Sequence, residues 1–153
     1  MKKKRISRLL AAGLMSALMA LVALPQAALA SVGFGPIEAS GGGMSVTWWG
    51  VWENSNRMND IDITLCDTAP DNSNEATAAL MVALRNPSTG AISYQTPGAR
   101  LKVPQYGGPC VINDPVWSLG YSPQQIWAVS VQFWGDGAPS NVWSTRWVYN
   151  PYL

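Results

Sequence analysis

The chain has 153 residues, of which only 12% are charged, with ten Lys and Arg, nine Asp and Glu, two Cys, eight Trp and no His. The missing imidazole excludes Ser-His-Asp and Cys-His catalysis and His-based metal sites. Residues 1–30 hold five of the ten cations and none of the nine anions, so the remainder carries five against nine, a formal charge of −4; without clustered Lys and Arg, neither nucleic acid nor anionic lipid is an expected partner.

Lys2, Lys3, Lys4, Arg5 and Arg8 precede an apolar run at 9–24, then Pro25, Gln26 and Ala27-Ala28-Leu29-Ala30. This is the order of a secretory signal peptide of bacterial type, with cleavage expected after Ala30. The apolar run of about 16 residues is shorter than the roughly 20 that a spanning helix needs, so no membrane span is expected in the mature protein. No Cys adjoins the cleavage site and Arg5 and Arg8 are not a twin-arginine pair. The general secretory route is left, with a protein released to the outside.

The mature part of about 123 residues suits one domain, able to bury about two-thirds of its unfolded surface. Its charged fraction of about 11% is well below the roughly 25% of ordinary globular chains, which implies strands buried on more than one face. Cys66 and Cys110 are the only cysteines, and an oxidising compartment makes a disulfide between them the default. Closing a loop of about 44 residues restricts the unfolded chain by about 4 kcal/mol in the entropy model.

Residues 31–43 end in Ser40-Gly41-Gly42-Gly43 and read as a flexible Gly-rich leader with a possible first strand at 32–38. The domain proper is expected at 44–153. In 44–52, Val46, Trp48, Gly50 and Trp52 alternate with Thr47, Trp49 and Val51; apolar residues on both faces imply a central strand. The polar stretch 53–59 reads as a loop. In 60–66, Ile61, Ile63 and Leu65 alternate with Asp60, Asp62 and Thr64, a half-buried strand. Cys66 falls in phase with the polar side, so either a bulge sits near the strand end or the bridge lies on the outside.

The segment 67–75 is an acidic, turn-rich loop. At 76–85 the alanines favour helix by propensity, with Asn74 as a possible cap, yet Leu80, Val82 and Leu84 alternate; strand is the preferred reading, turning at 86–90 and returning at 91–95. Short strands are expected at 100–103 and 111–113, separated by Gly107-Gly108-Pro109. The clearest signal closes the chain. Residues 126–134 place Trp127, Val129, Val131 and Phe133 on one face, 135–141 form a turn, and 142–149 return with Trp143, Thr145, Trp147 and Tyr149 alternating against Val142, Ser144, Arg146 and Val148. The sum is an all-β fold, a single antiparallel β-sandwich of about seven to nine strands with one disulfide.

Tyr121-Ser-Pro123-Gln-Gln125-Ile-Trp127-Ala-Val129-Ser-Val131-Gln-Phe133, followed by a Gly-rich turn and 140–144, resembles the end of a fibronectin type III domain. Ser45-Val46-Thr47-Trp48 is similar to that family's second strand with its buried Trp, and Asp60-Ile61-Asp62-Ile63 to its third. The resemblance, to a fibronectin type III-like or immunoglobulin-like sandwich, covers both ends of the mature chain. It departs from the family where Tyr121 stands for the usual Leu, where Trp127 stands for the corner Tyr, and in the extra length of 67–118. It implies that Trp48 and Trp127 are core, and a binding, spacing or adhesive role by analogy.

Carboxylates are the only remaining catalytic groups. Glu38 with Glu53, or Asp60 with Asp62, are conceivable glycosidase pairs, but solvated surface charges are the simpler reading, and no catalytic residue and no cofactor is expected. Asp67, Asp71 and Glu75, with Asn72, Ser73 and Asn74, offer hard oxygen ligands of the kind Ca²⁺ takes, without an EF-hand register. The tryptophans are the distinctive feature: not all eight fit inside one sandwich core, and an exposed aromatic row can stack on sugars or anchor a protein contact. The candidate ligand-binding residues are Trp49, Trp52, Trp134 and Trp143. The expected function is a secreted, non-catalytic binding or adhesion module that recognises an extracellular protein through an aromatic face and loops; the alternative is a carbohydrate-binding module.

Overall fold

The computed structural model describes residues 30–68, 75–98, 100–103, 110–113, 116–135 and 141–153. The signal-peptide assignment at 1–30 lies outside them save for Ala30. Eleven strands and no helix are found among the described residues: β1 (Val32–Gly41), β2 (Met44–Asn54), β3 (Arg57–Asp67), β4 (Ala76–Arg85), β5 (Ile92–Gln95), β6 (Arg100–Val103), β7 (Val111–Ile112), β8 (Trp117–Gly120), β9 (Gln125–Gly135), β10 (Trp143–Ser144) and β11 (Val148–Tyr149). They form two antiparallel sheets. Sheet 1 has the order β1-β2-β3-β7, with β8 also on β3; sheet 2 has β10-β9-β4-β5, with β6 also on β4 and β11 on β9.

The sheets are packed face to face as a β-sandwich. Period-2 alternation aims Met44, Val46, Trp48 and Trp52 of β2 and Ile61, Ile63 and Leu65 of β3 inward, against Leu80, Val82 and Leu84 of β4 and Val129, Val131 and Phe133 of β9; all are 4% exposed or less. Trp48 and Trp52 are the largest fully buried side chains, and Phe34 meets Trp48 edge-on with ring centroids 5.1 Å apart. A small polar network crosses between the sheets. The Trp48 indole Nε1 donates to Thr145 Oγ1 at 3.2 Å, the same oxygen accepts the Val131 amide at 3.0 Å, and Ser130 Oγ donates to the Thr145 carbonyl at 2.9 Å.

The possible first strand at 32–38 is present and extends to Gly41 in place of a flexible leader, because pairing with β2 satisfies its backbone while Ile37 enters the core at 5% exposure. Only Gly42-Gly43 remain as the β1–β2 turn, both at positive φ. The loop expected at 53–59 shrinks to a turn at Ser55-Asn56, since its polar side chains bond along the hairpin: the Asn54 Oδ1 accepts the Asn56 amide at 3.0 Å and Glu53 pairs with Arg57 at 3.1 Å. β8, which is not among the expected strands, pairs with β3 through Leu119 on Met58 and Trp117 on Ile61.

The segment with the open helix-or-strand choice is β4, paired along its whole length with β9 and flanked on the other side by β5 and β6. Nearly all its side chains are buried, the outward Ala79 and Ala83 included. Cys66 and Cys110 are bonded, and Cys66 follows the outward phase of β3 beside the inward Leu65. The bridge therefore lies on the outside of sheet 1.

Candidate functional site

Three single-residue irregularities set which side chains face outward, and the second and third decide it for the aromatic rings. The first is on β3, where Trp49 opposes Asp62 but Val51 opposes Asn59, so Asp60 and Ile61 together face Gly50. Asp60 takes φ 49°, a left-handed conformation that Asp tolerates better than most residues, and the extra residue lets both Met58 and Ile61 point inward. The second is on β9: Ala83 opposes Ala128 but Leu84 opposes Ile126, which leaves Trp127 as the bulged residue. Ile126 takes the core position expected for Trp127, and Trp127, only partly buried, packs edge-on against Tyr149 with centroids 5.0 Å apart. The resemblance-based placement of Trp127 in the core is thereby corrected.

The third interrupts the last strand. Ser144 opposes Gln132 and Val148 opposes Val129, so residues 145–147 stand against only two residues of β9. One extra residue flips the phase. Trp143 and Thr145 face the interior, whereas Trp147 and Tyr149 are carried to the outer surface, correcting the expectation that Trp143 and Trp147 share a face.

The outer surface of sheet 2 can be built from this register. One row runs Tyr94, Ala83, Ala128, Tyr149; the next rows toward the other end hold Met81 and Ser130, then Arg100, Ala79, Gln132 and Ser144, then Lys102, Thr77 and Trp134. At the opposite end Ile92, Arg85 and Gln125 share a row. The middle of the sheet is lined by small residues, so large neighbours lean over it. Tyr94 and Trp147, on opposite flanks of the β4–β9 pair, approach to 5.8 Å between ring centroids, roofing Ala83 and Ala128, which are completely buried. The roof is itself open to solvent: Tyr94 is 60% and Tyr149 58% exposed. Its rim is cationic, with the Arg100 guanidinium 5.6 Å from the Trp134 ring centroid and Lys102 joined to Glu75 at 3.0 Å.

The four residues singled out in the sequence fall in different places. Trp52 is 1% exposed, so the inward phase it shares with Trp48 removes it as a ligand platform. Trp143 is also structural: it stacks on Phe133 at 6.3 Å and lies against the β1–β2 turn, where a Cβ on Gly41 or Gly42 would come within 2.3 Å of its ring. Trp134 stands at the rim of the aromatic surface. Trp49 is 40% exposed on the other face of the molecule, beside Asp62 and a shallow depression lined by Gly33, Phe34, Gly35 and Pro36. Tyr94, Trp127, Trp147 and Tyr149 were missed, and the available signal was the placement of Ala79 and Ala83 at outward positions of a strand that must carry bulky neighbours.

The acidic candidates are dispersed. Asp71 lies outside the described residues, the Glu75 carboxylate is engaged by Lys102, and Asp67 is buried at the end of β3. Among the described residues no three His, Cys, Asp or Glu side chains come together as a metal site. Glu38 opposes Thr47 in the middle of β2, while Glu53 at the far end of that strand is held by Arg57 and Asn59. Burial pushes the Asp62 carboxyl up from its ordinary value, and its Oδ1 has no hydrogen-bond partner among the described residues. No helix among the described residues is long and apolar enough to cross a membrane.

Comparison with family models, with curated proteins and with solved structures finds no match to this chain.

Proposed function

We propose that the mature chain is a secreted, non-catalytic binding module that docks a protein partner on the outer surface of sheet 2. The observation that carries this reading is the solvent-exposed roof of Tyr94, Trp147 and Tyr149 over buried alanines. A patch of large rings with little side-chain freedom, rimmed by Arg and Lys, has the composition of a contact hot spot. The basic, apolar and small-residue segments at the start of the sequence, together with the disulfide, support export. The likeness to fibronectin type III domains adds an analogy for a spacing or adhesive role, resting on the β9–β10 hairpin and on β2; it does not extend to β3, since second and third strands lie in different sheets of an immunoglobulin-like sandwich and β2 and β3 pair directly.

Immobilised mature protein is expected to retain a partner from the producer's culture medium. Trp147→Ala should weaken that capture by roughly 30-fold, the size of a hot-spot truncation. Capture indifferent to Trp147→Ala and Tyr94→Ala would remove the aromatic roof as the docking surface. The exposed Trp49 beside its depression favours a second reading, stacking on a sugar ring. A glycan that quenches tryptophan emission in the parent but not in Trp49→Ala would establish it.

A further inference from the structure

Charge is divided between the two outer surfaces. Residues 30–68, which build most of sheet 1, hold Glu38, Glu53, Asp60, Asp62 and Asp67 with Arg57 as their one cation. The described residues from 75 onward, which build all of sheet 2, hold Arg85, Arg100, Lys102 and Arg146, with Glu75, ion-paired to Lys102, as their one carboxylate side chain. Strand register sorts them further: Arg85, Arg100 and Lys102 lie on the outer surface of sheet 2 around the aromatic roof, whereas Glu38 and Asp62 lie on the outer surface of sheet 1, flanking the exposed Trp49 and joined there by Ile112 at 55% exposure.

Resting on the reading of sheet 2 as a docking surface, we infer that its occupant is the outer surface of sheet 1 of a second copy of this chain. Each of the two surfaces combines exposed apolar groups with a net excess of charge, Arg85 and Arg100 on sheet 2 and Glu38 and Asp62 on sheet 1 once the Lys102–Glu75 and Arg57–Glu53 pairs are set aside, and the signs of the excess are opposite. Like surfaces repel, which disfavours a two-fold dimer through either face. The two outer surfaces of a sandwich point away from each other, so a contact between unlike faces leaves one of each free. Such a heterologous contact does not close on itself at two copies but propagates to longer assemblies.

Sedimentation of the oxidised mature protein tests this directly. At low ionic strength the average mass is expected to rise with concentration beyond that of a dimer, and to return to that of the monomer near 1 M salt, where the Debye length falls to about 3 Å. Arg100→Glu cancels the positive excess of the sheet 2 surface and Glu38→Lys the negative excess of the sheet 1 surface, so each variant alone should be monomeric. Mixed in equal amounts, they should assemble again by alternation. A parent that stays monomeric at low salt, one that stops at a dimer, or a mixture that fails to assemble from two folded variants would overturn the inference. If either variant fails to fold, the salt and concentration series on the parent still decides. A monomeric parent that captures another protein through Trp147 would sink this inference and leave the docking surface itself standing.

Discussion

Asp62 is the residue at which the outer surface of sheet 1 departs most from a solvated strand. It stands opposite Trp49, partly buried, with one oxygen lacking a partner among the described residues, and burial raises its carboxyl above the ordinary 3.8. A carboxylate whose folded-state value is raised binds its proton more tightly in the folded chain, so its contribution favours the fold at acid pH and is lost as pH rises from the unfolded value through the folded one. Asp62→Asn should therefore be no less stable than the parent at neutral pH, and should flatten the loss of stability between about pH 4 and pH 7. Urea midpoints for the two proteins across that range measure it; a variant markedly weaker at pH 7 would show that the charge is stabilised rather than penalised.

At the scale of the elements, the sequence pattern was legible wherever alternation ran unbroken. The strand at 44–52, the part of 60–66 beyond Asp60 and the part of 126–134 beyond Trp127, with the inward set Val46, Trp48, Ile61, Ile63 and Leu65, follow from period two alone. What alternation does not encode is an added residue: the bulges at Asp60, at Trp127 and within 145–147 each reverse the phase beyond them. The candidate site depends on the reversals at Trp127 and within 145–147, which alternation alone cannot place and which carry Trp147 and Tyr149 outward while Trp143 faces in; Trp52 needs no reversal, since unbroken alternation puts it inside with Trp48. Trp143 also explains a feature that composition left ambiguous, the glycine run at 41–43. Gly41 ends β1, Gly42 and Gly43 make the turn, and the Trp143 indole lies against the first two. Gly41→Ala would drive a Cβ to 2.3 Å from Trp143 Cδ1 and should cost about 2 kcal/mol, an overpacking effect. Gly33→Ala, with nothing within 4 Å, is the control and should be neutral or slightly stabilising. Equal losses for both would mean that β1 tolerates no side chain at either place for reasons of backbone rather than of Trp143.

For the molecule as a whole, the decisive point is where the disulfide is placed. In an immunoglobulin domain the conserved bridge passes through the core and ties one sheet to the other. Here Cys66 on β3 and Cys110 next to β7 sit within sheet 1, on its outer surface, so the bridge clamps an edge and the cohesion of the two sheets rests on the core and on the Trp48–Thr145–Val131 hydrogen bonds. The edge has a second clamp. Asn113 accepts the Ile63 amide at 2.5 Å and donates to the Ile61 carbonyl at 2.9 Å. Removing the bridge should then act through the unfolded chain more than through the folded one: Cys66→Ser with Cys110→Ser should lower stability by about 2–4 kcal/mol, yet keep the near-ultraviolet circular dichroism of the packed tryptophans and a single cooperative transition in which fluorescence and far-ultraviolet signals coincide. Separate transitions in the bridge-free protein, or loss of the aromatic signal before unfolding, would instead place the bridge among the forces that hold the sheets together.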